Sequence, residues 1–254
     1  MKKLFPFTTA ILLTFVSYSQ VSEGTTEYAA PSVEKEEIVP TKHRIGINIG
    51  GSSPKGEYSA IDQNEESSGY ADGGISVGLS YQYNMHESFA VSFLYGSTAN
   101  KFNAQAFVDQ LSREEPNVNW RVEADPYSVG FVMVGVKGFI GDQVKAYVNP
   151  MFGYGIMTSP NVQIIASNGA NSISQQIRES DPEGSGILGV SFGIDFLVSE
   201  LISINIDGTY LNSEFEIERV LDTFDPNGRP QVVRVTNDQP YEVLNFSLGI
   251  GFNF

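Results

Sequence analysis

The stretch NFSLGIGFNF, residues 245–254, alternates apolar residues with Ser, Gly and Asn. A period of two residues is typical of a β-strand whose two faces meet different surroundings. The stretch therefore predicts a two-faced strand that finishes on an aromatic residue. Its apolar face consists of Phe246, Leu248, Ile250, Phe252 and Phe254.

Seven other segments follow the same pattern. One face of each carries Ile, Val, Leu, Phe and Tyr, and the other carries mainly Gly, Ser, Asn and Gln. Two segments are irregular. Residues 127–141 are apolar on both faces, which leaves the register open, and Pro150 predicts an edge strand or a bulge in the fifth segment. The seven segments are 44–50, 74–83, 88–96, 127–141, 144–156, 188–196 and 202–210.

The connections between these segments alternate in length. Three are short (NMHE, GDQ and SE), and four are long and polar, at about 53–69, 100–125, 159–183 and 214–241. Loops this long are uncommon in compact domains. If the strands run up and down, every short turn lies at one end of the sheet and every long connection at the other. Transmembrane β-barrels have this arrangement.

The predicted fold is therefore all-β: an eight-stranded, antiparallel, up-and-down transmembrane β-barrel formed by residues 43–254. A sheet persists in hydrocarbon only by closing on itself, because lipid offers no hydrogen bonds to free backbone groups. The competing fold is a secreted soluble barrel of the lipocalin type. In that fold the apolar face would point inward and the polar face outward. Three features disfavour it: the outer face lacks the Lys and Glu of a solvated surface, the polar face is dominated by small residues, especially Gly, and the connections alternate in length by end.

The N-terminal segment indicates secretion. Lys2 and Lys3 precede a short apolar run, and Ser17 and Ser19 suit a signal peptidase, so residues 1–19 are predicted to be a signal peptide. Residues 20–42 are acidic and aperiodic, and are predicted to be a flexible leader. The formal net charge of −15 argues against nucleic acid as a partner. The absence of Cys excludes a disulfide framework.

The segments RIGINIGGSSPKG (44–56), YVNPMFGYGI (147–156) and GILGVSFGIDFLVSELISINIDGTYL (186–211) resemble small outer-membrane barrels of Gram-negative bacteria. These are the OmpA, OmpX and OmpW types, and the chain is most similar to the "outer membrane protein beta-barrel domain" porin family. The resemblance implies a multi-pass barrel in the cell outer membrane, with extracellular long loops, periplasmic termini, and contact with outer-membrane lipids and lipopolysaccharide. It also implies that the barrel-assembly machinery reads the last strand, through the alternate apolar positions 246–254 and terminal Phe254.

The resemblance does not fix the activity, since this family hosts many roles. Some small outer-membrane barrels act on lipid A, and His86-Glu87-Ser88 has an H-x-S spacing that resembles the lipid A deacylase motif. However, these residues occupy a short turn at the predicted periplasmic end, and His43 is expected to be interfacial. No His or Cys set has metal-ligand spacing. Residues 222–229 lack the 12-residue calcium pattern and are predicted to be a solvated turn. We predict no enzymatic activity and no cofactor.

Seven charged or amide residues fall on the lumen-facing side of their strands. An unpaired buried charge is costly, so opposite charges confined in a narrow lumen are expected to pair. The sequence predicts a plug of ion pairs and hydrogen bonds, with separate hydration by trapped water as the alternative. The residues are Arg44, Asn48, Lys145, Asn149, Asp195, Asn205 and Asp207.

The predicted function is a structural, envelope-stabilising or surface-interaction role with a plugged lumen. Two alternatives remain open: an accessory subunit of a larger outer-membrane secretion or assembly complex, and an OmpW-like pore for small hydrophobic solutes. The long connections are net acidic. Their charge is explained by solvation alone, or by divalent cations that bridge to lipopolysaccharide phosphate.

Overall fold

The computed structural model describes residues 42–61, 68–168, 171–179, 181–224 and 230–254. The predicted signal peptide, and the predicted leader except Lys42, lie outside these residues. The described elements are eleven strands, one α-helix and a one-turn 3₁₀ helix (Gly56–Ser59). The strands are β1 (His43–Pro54), β2 (Ala71–His86), β3 (Phe89–Phe102), β4 (Asn119–Ala124), β5 (Tyr127–Ile140), β6 (Val144–Thr158), β7 (Val162–Asn168), β8 (Asn171–Glu179), β9 (Glu183–Leu197), β10 (Ile202–Phe224) and β11 (Pro230–Asn253), and the helix is α1 (Ala104–Glu114).

Eight of the strands form a closed antiparallel ring, which confirms the predicted barrel. The order around the ring is β1, β2, β3, β5, β6, β9, β10 and β11. β11 closes it by pairing with both β10 and β1, from Arg44 opposite Asn253 to Pro54 opposite Val243. No barrel strand is left with a free edge at this seam, as a sheet in lipid requires.

The outer surface of the ring is apolar. Ile47 is 61% exposed and Phe246 57% exposed, which suits lipid rather than water. The strand from Phe246 to Phe254 covers about 26 Å at ~3.3 Å per residue, or about 20 Å along the barrel axis at a tilt of ~40°. On β10 the outward series changes from Ile202, Ile204 and Ile206 to acidic residues at 214, 216 and 218. The apolar band therefore ends before these acids, and the soluble-barrel alternative is wrong.

The long connections contain regular structure, which corrects the prediction of loops. The outer halves of β10 and β11 remain paired as far as Phe224 opposite Pro230, across most of predicted loop 214–241. β8, β7 and β4 add to the outer half of β10, giving a five-stranded sheet in the order β11-β10-β8-β7-β4. We call this sheet, together with α1, the extension.

The helix of the extension begins where the side chain of Asn103 accepts a hydrogen bond from the Ala106 N–H at 3.0 Å, a common helix cap. It packs on the sheet through a cluster centred on Val122, Val162 and Ile164. Among the described residues, no helix is both long and apolar enough to cross a membrane.

Pro150 causes neither an edge nor a bulge. β6 pairs with β9 without interruption through Pro150. Toward β5, the ladder omits the pairs between Gly135–Met151 and Gly138–Val148 but keeps one register. The reason is that Pro lacks the N–H that would bond to β5. The ambiguous segment 127–141 is β5, whose Val132 and Val136 point outward and whose Phe131, Met133 and Lys137 point inward.

Candidate functional site

An ionic cluster lies in the lumen, in the half near the short turns. One oxygen of Asp195 on β9 accepts two charged hydrogen bonds, from Arg44 on β1 at 2.7 Å and from Lys137 on β5 at 3.1 Å. All three side chains are nearly buried, with 7%, 10% and 11% exposure. Burial removes the screening by water that weakens surface pairs, so the geometry of these contacts matters for stability.

Asn205 links this cluster to the polar side chains around it. Its Oδ1 accepts a long hydrogen bond from Arg44 at 3.5 Å. Its amide nitrogen donates to Asp207 at 2.7 Å and to Asn48 at 3.2 Å. The structure thus brings Arg44, Asn48, Asp195, Asn205 and Asp207 into one connected network, as expected for residues on the lumen side of adjoining strands.

Two glycines of the last strand provide the space for this network. Gly249 is the cross-strand neighbour of both Asn48 and Asn205, and a Cβ at Gly249 would overlap the side-chain oxygens of both. A Cβ at Gly251 would overlap Arg44 Nε. The small lumen-facing residues of β11 are therefore required by the close approach of polar side chains from β1 and β10.

Two predicted members lie apart from this network. Lys145 is the cross-strand neighbour of Asp195, yet within the described part of the chain it forms no ion pair, and its Nζ lies 5.6 Å from the centre of the Phe139 ring. Asn149 is buried and accepts a hydrogen bond from Ser92 at 2.9 Å. It lines a cavity of about 60 Å³ together with Arg44 and Asp207, large enough for several water molecules.

Lys137 is the member that sequence reasoning missed. Its ammonium lies 3.5 Å from the centre of the Tyr147 ring and 5.2 Å from that of Phe139, so aromatic faces supplement its ion pair. The available signal was a single cation within the otherwise apolar segment 127–141. A lone charge there points to the lumen because lipid would not accommodate it.

The other half of the lumen, near the extension, has an apolar side that the sequence did not predict, next to buried polar residues of β1 and β3, such as Ser52, Thr98 and Asn100. A cluster from β5, β6, β9, β10 and β11 forms this apolar side. Tyr58 of the 3₁₀ helix inserts into the cluster, with its ring edge-to-face with Tyr127 and Tyr241 at 5.2 and 5.3 Å. Burial raises the pKa of the Tyr58 hydroxyl well above its usual value of 10. The buried residues include Val129, Met133, Met157, Ile187, Leu211, Phe215, Ile217 and Val243.

The two histidines lie at the short-turn end. His43 stacks on Phe254 at 5.5 Å and shares a hydrogen bond of 2.8 Å with the Tyr81 hydroxyl. The backbones of His43 and Phe254 bond to each other in both directions. In the turn after β2, the His86 ring accepts the backbone N–H of Ser88 at 3.2 Å. Among the described residues, no His, Cys, Asp and Glu group could hold a metal ion.

The five apolar residues of the last strand, Phe246 to Phe254, all point outward and are more than half exposed. They form part of the lipid-facing band. Their use as an assembly signal stays a prediction.

Comparisons with known proteins place the chain in a family. The model for "Outer membrane protein beta-barrel domain" matches residues 12–254. Among solved structures, the chain is similar to Neisserial surface protein A, with 12% identity, coverage of 84% of this chain and 97% of that one, and a TM-score of 0.42. For Ail of Yersinia pestis the values are 16%, 85%, 99% and 0.41, and for OprG of Pseudomonas aeruginosa 11%, 85%, 99% and 0.44. Comparison with curated proteins finds no match. Because the family model spans nearly the whole chain, the protein belongs to the outer membrane protein beta-barrel domain family and is an integral protein of the outer membrane.

Proposed function

We propose that this protein is a closed, non-enzymatic barrel that anchors a surface-exposed sheet in the outer membrane. The observation that carries the proposal is the filling of the lumen in two layers. An ionic and amide network occupies the half near the short turns, and an apolar cluster occupies the half near the extension. Filling of this kind supports a lumen that is closed to solutes.

The extension is the part of the molecule available for interaction. Its five strands and helix carry most of the structure outside the apolar band. In this proposal the extension faces the cell exterior, close to lipopolysaccharide, and the short turns face the periplasm. The chain lacks Cys, so single cysteines at Ser174 in β8 and Glu87 in a short turn can test the orientation. A membrane-impermeant maleimide should label the first on intact cells and the second only after the outer membrane is broken.

The non-enzymatic role is supported by the surroundings of the histidines. The His86 ring bonds to a backbone N–H in an exposed turn, and His43 is engaged with Tyr81 and Phe254. A hydrolytic site would need a His within reach of a nucleophile and oriented by a carboxylate. Assay of the purified protein against lipid A and phospholipid should show no product, and turnover that is lost in His86→Ala would contradict the proposal.

Conductance of planar bilayers tests the closed lumen. The full-length protein, with insertion verified by protection of its barrel from protease, should leave the bilayer silent. A steady pore of large conductance would contradict the proposal. Uptake of a small hydrophobic solute by liposomes, compared with protein-free liposomes, tests the pore alternative, and protein-dependent uptake would favour it.

A further inference from the structure

β4 is the outermost strand of the extension, and in the part of the chain that the structure describes one of its edges carries no further strand. It pairs with β7 in a continuous register from Asn119 opposite Ser167 to Ala124 opposite Val162. On its other side, none of the described residues pairs with it. Exposed edges usually carry a Lys, a Pro or a bulge that prevents pairing with another chain. The sequence of β4, NWRVEA, contains no Lys or Pro, and its register has no bulge. Its two charged residues, Arg121 and Glu123, have opposite signs, so they do not by themselves repel a second copy of the strand.

The side chains of β4 are self-complementary about Val122. Arg121 and Glu123 flank it on the polar face, where their side chains are 73% and 52% exposed and ion-paired with each other. If a second β4 pairs antiparallel and Val122 meets Val122, each Arg121 faces the partner's Glu123. On the opposite face, each Trp120 faces the partner's Ala124, so a large side chain meets a small one. Opposite charges in such cross-strand positions stabilise the pairing.

We propose that two copies of this protein associate through their β4 strands, forming one sheet that is continuous across a twofold axis at Val122. The partner at this edge is a second copy of the chain, because Arg121 of each strand would then lie opposite Glu123 of the other. The contact is independent of whether the lumen is closed. Five paired residues of each β4, from Trp120 to Ala124, place it among the small, transient interfaces. The dimer should therefore be weak in dilute detergent and more populated in membranes rich in the protein.

A single cysteine at the axis tests the geometry. In a chain without Cys, Val122→Cys can form a disulfide only with its own copy. Directly opposed residues of antiparallel strands have a Cα separation of about 4.5–5.5 Å, which is within the range that a disulfide spans. Mild oxidation of membranes containing this variant should give a covalent dimer. Val122 is buried in the cluster that packs α1 on the sheet, so the matched control is Ile164→Cys, which lies opposite Val122 on the inner strand β7 and is equally buried. This control should give much less covalent dimer. Two results would overturn the proposal: equal yields of covalent dimer for the two variants, or a dimer that is cross-linked through surfaces other than β4.

Charge-reversal variants test the predicted register between the two β4 strands. Recovery of the dimer on mixing them separates a loss of pairing from a loss of folding. Arg121→Glu alone places acids opposite acids, and Glu123→Arg alone places cations opposite cations, so each should reduce the cross-linking yield of Val122→Cys by about tenfold. Mixing these two chains creates Glu–Arg pairs at both positions and should restore the dimer. Both changes are at exposed positions, where folding is little affected. Single variants that dimerise normally, or a mixture that fails to recover, would refute this pairing.

Discussion

Replacing Asp195 by Asn should destabilise the barrel strongly. The change keeps the shape of the side chain and removes the charge that pairs with Arg44 at 2.7 Å and Lys137 at 3.1 Å. Both cations are then left nearly buried without their shared counter-charge. Asp207 lies in the same network, but it forms no ion pair with either cation among the described residues.

The expected cost follows from the geometry of the cluster. Removing one partner of a buried ion pair costs about 3–5 kcal/mol, because the remaining charge stays buried. Here the Asn205 oxygen and the Tyr147 ring retain part of the contact with the cations, so the low end, about 3 kcal/mol, is expected. With a slope of about 2 kcal/mol per molar urea, this corresponds to a lower unfolding midpoint by about 1.5 M.

Urea unfolding of the detergent-solubilised protein, followed by circular dichroism and by the heat-dependent gel shift of folded barrels, measures this change. Asp238→Asn, at an exposed position of the extension, is the matched control and should cost less than about 0.5 kcal/mol. Lys137→Met keeps the Arg44–Asp195 pair and should cost less than Asp195→Asn. The reasoning is refuted if Asp195→Asn costs no more than the exposed control, or no more than Lys137→Met.

Three further substitutions address other parts of the molecule. Gly249→Ala should lower the free energy of unfolding by about 1–3 kcal/mol, because the new Cβ would overlap two asparagine oxygens. Gly130→Ala is the control: no atom lies within 4 Å of its new Cβ, so it should be near neutral in the same urea assay. Equal costs for the two variants would contradict this prediction. Tyr58→Phe should not destabilise the protein, because the hydroxyl is buried without a hydrogen-bond partner among the described residues. Burial raises the pKa of Tyr58 above its usual 10. The wild-type protein should therefore lose stability above pH 10, because tyrosine ionises more readily in the unfolded chain. The free energy of unfolding of the variant should fall by up to about 1.4 kcal/mol less per pH unit, and identical pH profiles would exclude this role. Phe254→Asn should reduce the amount of folded protein in outer membranes more than Phe152→Asn, an exposed position within β6; equal losses would mean that lipid contact, rather than an assembly signal, explains the residue.

The barrel was predictable because lipid acts on each strand separately. In β1, Ile45, Ile47 and Ile49 face outward and are exposed, and no partner strand is needed to explain why they are apolar. The same holds for Phe246 to Phe254 in β11. Because lipid surrounds the barrel, every strand needs apolar residues at alternate positions. The positions of these residues follow from the sequence without knowledge of which strands are neighbours.

The extension was not predictable in this way. Glu214, Glu216 and Glu218 alternate with Phe215 and Ile217, which is also a period of two. In a region dense with acids and near predicted turns, this pattern predicts a polar loop. Phe215 and Ile217 are fully buried. Phe215 contacts Tyr241 on the paired strand β11, and the same cluster includes residues of β5, β9 and the 3₁₀ helix. These last neighbours are distant in sequence, so the local pattern does not reveal the burial.

The lumen shows the same limit at a single residue. Identifying Lys137, rather than Lys145, as a member of the ionic cluster requires knowing which face of β5 points inward. The signal in the sequence is that Lys137 is a single cation in an apolar segment. The boundary between the two layers runs along β5 between Met133 and Lys137, both buried, so the strand is apolar on its lumen side above the boundary and on its lipid side everywhere. The side chains of Arg44, Lys137 and Asp195 in the ionic cluster are nearly buried. Salt weakens exposed pairs much more than buried ones, so the cost of Asp195→Asn should persist in urea titrations at 1 M salt, and its disappearance there would show that water reaches the cluster freely.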